Sequence, residues 1–103
     1  MGYNIPQVKA RLLFRRKYVY ADGAIVEMKA WSVPRSPSKP EGYKYSLVYI
    51  DAGGERLLGY DNAEGKGHHR HEAGVESQVV FHSLSGLLER FLEEVEGIRG
   101  PQP

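Results

Sequence analysis

The sequence predicts an α+β domain: an antiparallel sheet of about five strands packed against one C-terminal amphipathic helix. Two observations carry this reading. Asp22-Gly23 and Gly53-Gly54 each separate two runs rich in aromatic and β-branched residues, the pattern of two tight hairpins. Leu84, Leu87, Leu88, Phe91, Leu92 and Val95 recur at helical spacing and form one apolar stripe. Nothing else in the chain can cover the apolar face of the sheet, so the two features imply two layers.

The first strand is expected over Arg11–Tyr20 and its partner over Ala24–Val33, where Ala24, Val26, Met28 and Ala30 share a face. The segment 34–42 (Pro34 to Gly42) contains three prolines, which lack an amide hydrogen and bias the residue before them away from helix, so it reads as a loop. Tyr43–Asp51 alternates again, with Tyr45, Leu47 and Tyr49 on one face, and Glu55–Asp61 is its return strand. Residues 62–75, with Gly65, Gly67 and Gly74 and almost no apolar side chains, read as a second loop, and Glu76–Phe81 as a short fifth strand. Ser83 or Ser85 can cap the helix start by accepting an amide hydrogen bond. Gly97 or Gly100, with Pro101 beyond, supplies the stop and leaves 97–103 as a flexible tail.

The chain has 103 residues, enough for one domain spanning 1–103 with its own core. It has no cysteine, which excludes disulfide scaffolds, thiolate metal sites and thiol catalysis. No apolar run approaches the twenty or so residues of a membrane span, and Met1-Gly2-Tyr3-Asn4-Ile5-Pro6 lacks the basic-then-apolar layout of a secretory leader, so a cytoplasmic protein is expected. The formal net charge is +1, so any nucleic-acid contact must come from a local patch.

The chemistry concentrates in Gly65-Lys66-Gly67-His68-His69-Arg70-His71. Histidine titrates near neutrality and can both take and give a proton at physiological pH. Lys66 and Arg70 add positive charge suited to a phosphate, and Gly65 and Gly67 let the backbone approach a ligand closely. Such a set has what metal-free RNA cleavage requires: a base, an acid and cations that steady the charge between them. Asp61, at the end of the preceding strand, could orient an imidazole, and Glu76 could return close to the cluster. On an extended backbone His69 and His71 share a face while His68 points away.

Other readings of the same residues stand beside this one. His69 and His71 could ligate a metal with a third ligand from Asp61, Glu72, Glu76 or His82, although Lys66 and Arg70 would repel the ion. The cluster could also clamp RNA or a protein without breaking a bond, or be a solvated basic loop. Arg15-Arg16-Lys17 with Tyr18 and Tyr20 could track a nucleic-acid backbone, and cations guarding an edge strand look the same.

Tyr60-Asp61-Asn62, the run Gly65 to His71, then Gly74, Glu76 and Phe81 ahead of an amphipathic helix together resemble the TumE-like toxins of prokaryotic toxin–antitoxin systems. The likeness covers roughly Tyr43 to Val95, about half of the chain. It implies a small growth-inhibiting toxin neutralised by a cognate antitoxin protein. The implicated positions are Lys66, His68, His69, Arg70 and His71, flanked by Asp61 and Glu76. The combined expectation is a metal-independent ribonuclease toxin that needs no cofactor. His68, His69, His71 and Asp61 would act in catalysis, with Lys66, Arg70, Gly65 and Gly67 binding substrate. Its partners would be RNA and the antitoxin, with no membrane and with room for a homodimer.

Overall fold

The computed structural model of the chain describes residues 10–65 and 67–101. Strands β1 (Arg11–Val19), β2 (Ile25–Ser32), β3 (Tyr43–Ile50), β4 (Arg56–Asp61), β5 (His69–Glu72) and β6 (Val75–Gln78) precede a single helix, α1 (Leu84–Arg99). The six strands are hydrogen-bonded in chain order, each antiparallel to the next. The α+β class is as the sequence predicts, with six strands in place of about five.

The two hairpin turns lie where expected. Gly23 adopts φ +92°, which an L-residue side chain resists, and Asp22 Oδ1 accepts a hydrogen bond of 2.9 Å from the Ala24 amide. Asp51 Oδ1 accepts from the Gly53 and Glu55 amides, both at 2.9 Å, and fixes the second turn in the same way. The proline-rich segment is closed at its base by the Val33 amide donating to the Gly42 carbonyl at 2.9 Å.

The region 62–75 departs from expectation. His69–Glu72 is a strand, paired with β4 on one side and β6 on the other, and β6 ends at Gln78. Histidine, arginine and glutamate are poor advertisers of a strand, so the ladder and not side-chain propensity defines β5. The turn was hidden because only one of its two positive-φ residues is glycine: Ala73 has φ +50° and Gly74 φ +78°. Helix α1 also runs through Gly97 to Arg99, so residues 97–99 belong to it and not to a tail. Ser83, not Ser85, is the cap, accepting from the Gly86 amide at 3.0 Å. Gly100 with φ +72° ends the helix, its amide donating to the Glu96 carbonyl at 2.9 Å.

One face of the sheet is dry and the other is not. Val26 and Ala30 from β2, Tyr45, Leu47 and Tyr49 from β3, and Leu58 and Tyr60 from β4 bury themselves with Leu87, Phe91 and Val95 of α1. The Tyr60 ring meets Phe91 edge-on at 5.9 Å. Arg99 anchors the far end of the helix: its guanidinium donates to Tyr49 Oη and Asp22 Oδ2, both at 3.1 Å, and lies 3.7 Å from the Tyr20 ring centroid. The alternate residues of each strand, among them Lys29, Ser46, Asp61, His69 and His71, project from the opposite face, over which none of the described chain packs as a second layer. There Lys29 holds the Glu27 carboxyl below its usual range across a 3.1 Å ion pair. Among the described residues no helix is long and apolar enough to cross a membrane.

Phe91 is fully buried at the centre of the contact. Phe91→Ala should cost about 3–5 kcal/mol by chemical denaturation, whereas Leu92→Ala on the wetter flank should cost about 1 kcal/mol or less.

Candidate functional site

Strand β5 distributes its four side chains by simple alternation. His69 lies opposite Asp61 and His71 opposite Gly59, so both imidazoles rise from the open face. Arg70 and Glu72 pair with Tyr60 and Leu58 and therefore face the helix.

On the open face the two histidines sit 6.5 Å apart, centroid to centroid. His71 Nε2 lies 3.2 Å from Asp61 Oδ2, and His69 Nδ1 lies 2.9 Å from Glu76 Oε1. Ser46 and Arg56 join these four residues in lining one cavity of about 420 Å³. The Arg56 side chain runs past Gly59, three residues along the same strand. A Cβ on Gly59 would come within 3.3 Å of Arg56 Cδ, so a side chain there would push the guanidinium stem aside. Asp61 is held by its surroundings, its Oδ1 accepting from the Ala63 amide at 3.1 Å. The adjacent Asn62 is buried and replaces the missing rungs of the ladder: its Oδ1 accepts from the Tyr45 amide at 3.1 Å and its Nδ2 donates to the Tyr43 carbonyl at 2.7 Å. This pins the end of β4, and with it Asp61, against β3.

The remaining candidates from the sequence lie elsewhere. His68 is on the helix side, its ring stacked on Phe81 at 4.7 Å and on Tyr45 at 5.7 Å. Burial pushes the Tyr45 hydroxyl up, so it stays protonated, and it is hydrogen-bonded to His68 Nδ1 at 2.8 Å. The other ring nitrogen, Nε2, faces Glu41 Oε1 at 3.2 Å. His68 is thus a packed link between the proline-rich loop and the sheet, apart from the other two histidines. Arg70, expected to grip substrate, is turned to the opposite face and bound to Glu94 of α1 and Glu72. Burial pushes the Glu94 carboxyl up, and the same group accepts the Tyr60 hydroxyl and faces Arg90 at 3.3 Å. Alternation along the strand sets Arg70 on the opposite side of the sheet from His69 and His71. Gly65 and Gly67 both take positive φ, +69° and +80°, in the connection before β5, and Lys66 lies outside the described residues. His82 lines a separate small pocket with Arg90 on the helix side.

Arg56 and Ser46 were not among the sequence candidates. The signal that could have found Ser46 is its register opposite Asp61, which follows once β3 and β4 are paired. Among the described residues, no group of three His, Asp or Glu side chains is arranged to hold a metal ion.

The family model described as Toxin TumE matches residues 4–99 of the chain. The chain therefore belongs to that toxin family, over nearly its whole length and not only the half in which the histidine motif lies. No curated protein and no solved structure matches it.

The different surroundings of the histidines separate their roles in stability. His68→Ala removes a stacked ring and a hydrogen bond to a buried phenol, and should lower the unfolding free energy by about 1–3 kcal/mol. His71→Ala, on the wet face, should cost less than about 1 kcal/mol. Urea titrations of the two variants, compared at equal slope, measure the difference.

Proposed function

We propose that this toxin is a ribonuclease that works without a metal ion, with its acid and base drawn from the open-face pair His69 and His71. The observation that carries the reading is two imidazoles on one face, 6.5 Å apart, each beside its own carboxylate. That separation admits a phosphodiester between them. A carboxylate at one ring nitrogen fixes the tautomer and supports the imidazolium when it forms. One imidazole takes the proton of a ribose 2′-hydroxyl, whose oxygen then attacks phosphorus. The P–O5′ bond breaks, and the other imidazole protonates the departing 5′ oxygen. The products are a 2′,3′-cyclic phosphate and a 5′-hydroxyl. Arg56, on the same cavity wall, takes the charge-stabilising role first expected of Arg70. An antitoxin that binds the chain would restrain this activity in the cell.

A metal-dependent nuclease and a clamp that breaks no bond use the same residues, and one assay separates all three. The purified chain, given RNA in excess EDTA, should release fragments ending in a 2′,3′-cyclic phosphate. His69→Ala and His71→Ala should each slow release by about 10²–10⁴, while His68→Ala retains activity whenever it is folded. Cleavage that EDTA abolishes would favour the metal reading. Binding without cleavage in any condition would favour the clamp.

A further inference from the structure

The outer edge of the sheet at β1 is built unlike a protected edge. Among the described residues nothing pairs with it, so a nine-residue strand offers open amides and carbonyls to solvent. Leu12, Leu13, Tyr18 and Val19 are all exposed, at 44–61%. Alongside them stand Arg11, Arg15, Arg16 and Lys17, with no acidic residue in the strand. Cations alone would be ordinary protection against strand pairing. Four large apolar side chains on the same strand work against protection and mark a surface that is covered in use.

The strand's alternation sorts these groups. A register shift between Leu12 and Phe14 leaves Phe14 and Arg16 on the helix side, opposite Ala30 and Met28. There Leu13, Phe14, Arg16, Met28, Leu88 and Leu92 line an apolar groove of about 420 Å³ between β1 and α1. On the open face Arg15 and Lys17 project beside one acidic residue, Glu27, which lies 3.7 Å from Arg15 and directly across the ladder from Lys17, so two cations share a single carboxylate.

We propose that β1 is the docking edge for an extended segment of a protein partner that adds a seventh strand. Its alternate residues are large and apolar on one face and acidic on the other. The apolar set enters the groove against Leu88 and Leu92, and the acidic set meets Arg15 and Lys17. Charge complementarity selects this occupant. A second copy pairing through its own β1 would bring one cation cluster against the other, which is unfavourable for directly opposed side chains. A nucleic acid would use the cations but leave Leu12, Leu13 and Val19 in water. The proposal goes beyond the ribonuclease reading and does not depend on it, since the site lies at the opposite edge of the sheet from β5 and β6.

The test uses a fluorescein-labelled peptide of about ten residues alternating valine and glutamate, and a twin with lysine for each glutamate. By fluorescence anisotropy the intact chain should bind the acidic peptide at least about tenfold more tightly than the basic one. Arg15→Glu with Lys17→Glu should reverse that preference, and Leu92→Glu should weaken both peptides. Circular dichroism checks that these surface variants are folded. Equal affinity for the two peptides, or binding to neither, overturns the proposal. So does a wild-type dimer in sedimentation that Leu92→Glu dissociates, which would make a second copy the occupant. Displacement of bound peptide by oligouridine would assign the edge to nucleic acid and overturn it equally. None of these readouts requires RNA cleavage, so this proposal and the ribonuclease reading fail separately.

Discussion

A single helix can dry only one side of a sheet. That constraint orders the rest of the molecule. Leu87, Phe91 and Val95 close the face formed by β2, β3 and β4, and the alternate side chains are left on the face the helix does not cover. The uncovered face of a rigid antiparallel sheet holds titratable groups in place, and a facing carboxylate offsets the cost for one that is buried, as Glu76 does for His69. His69, His71, Asp61, Glu76 and Arg56 share that face. At β5 the two sides have different work within four residues, because Arg70 and Glu72 reach the polar flank of the helix where Glu94 waits. The bond between Arg70 and Glu94 ties the last hairpin to α1 beside the buried Tyr60, whose hydroxyl meets the same carboxylate.

The parts of the fold that were legible in the sequence are those whose cause is local. The stripe from Leu84 to Val95 repeats at helical spacing, and the first two hairpins carry glycine where φ must be positive. The last hairpin was not legible. Its strand is written in His, Arg and Glu, and its turn places an alanine at a positive φ, a conformation that alanine seldom adopts. Tertiary pairing with β4 overrode propensity there.

The site was half legible for the same reason. Histidines clustered at 68, 69 and 71 flag themselves in any reading of the chain. Their partners do not, because pairing depends on contacts between distant positions: Arg70 with Glu94, His68 with Tyr45 and Glu41, and Arg56 with the space above Gly59. The sequence shows which residue types are present, and the register decides which of them meet. Once His69–Glu72 is known to be a strand, the separation of His69 and His71 from Arg70 follows without further information.

The alternation in β5 also bears on how this chain can change over generations. Replacing one side chain on one face leaves the other face alone, so substitutions there are graded in effect. Losing or gaining one residue between His69 and Glu72 exchanges the two faces at once, carrying an imidazole toward the helix and removing Arg70 from Glu94. The connection before the strand and the proline-rich loop can absorb length changes because neither passes a register to its neighbours. A change of length is therefore better tolerated in those two loops, while the four-residue strand that carries the histidine pair tolerates only exchange of side chains.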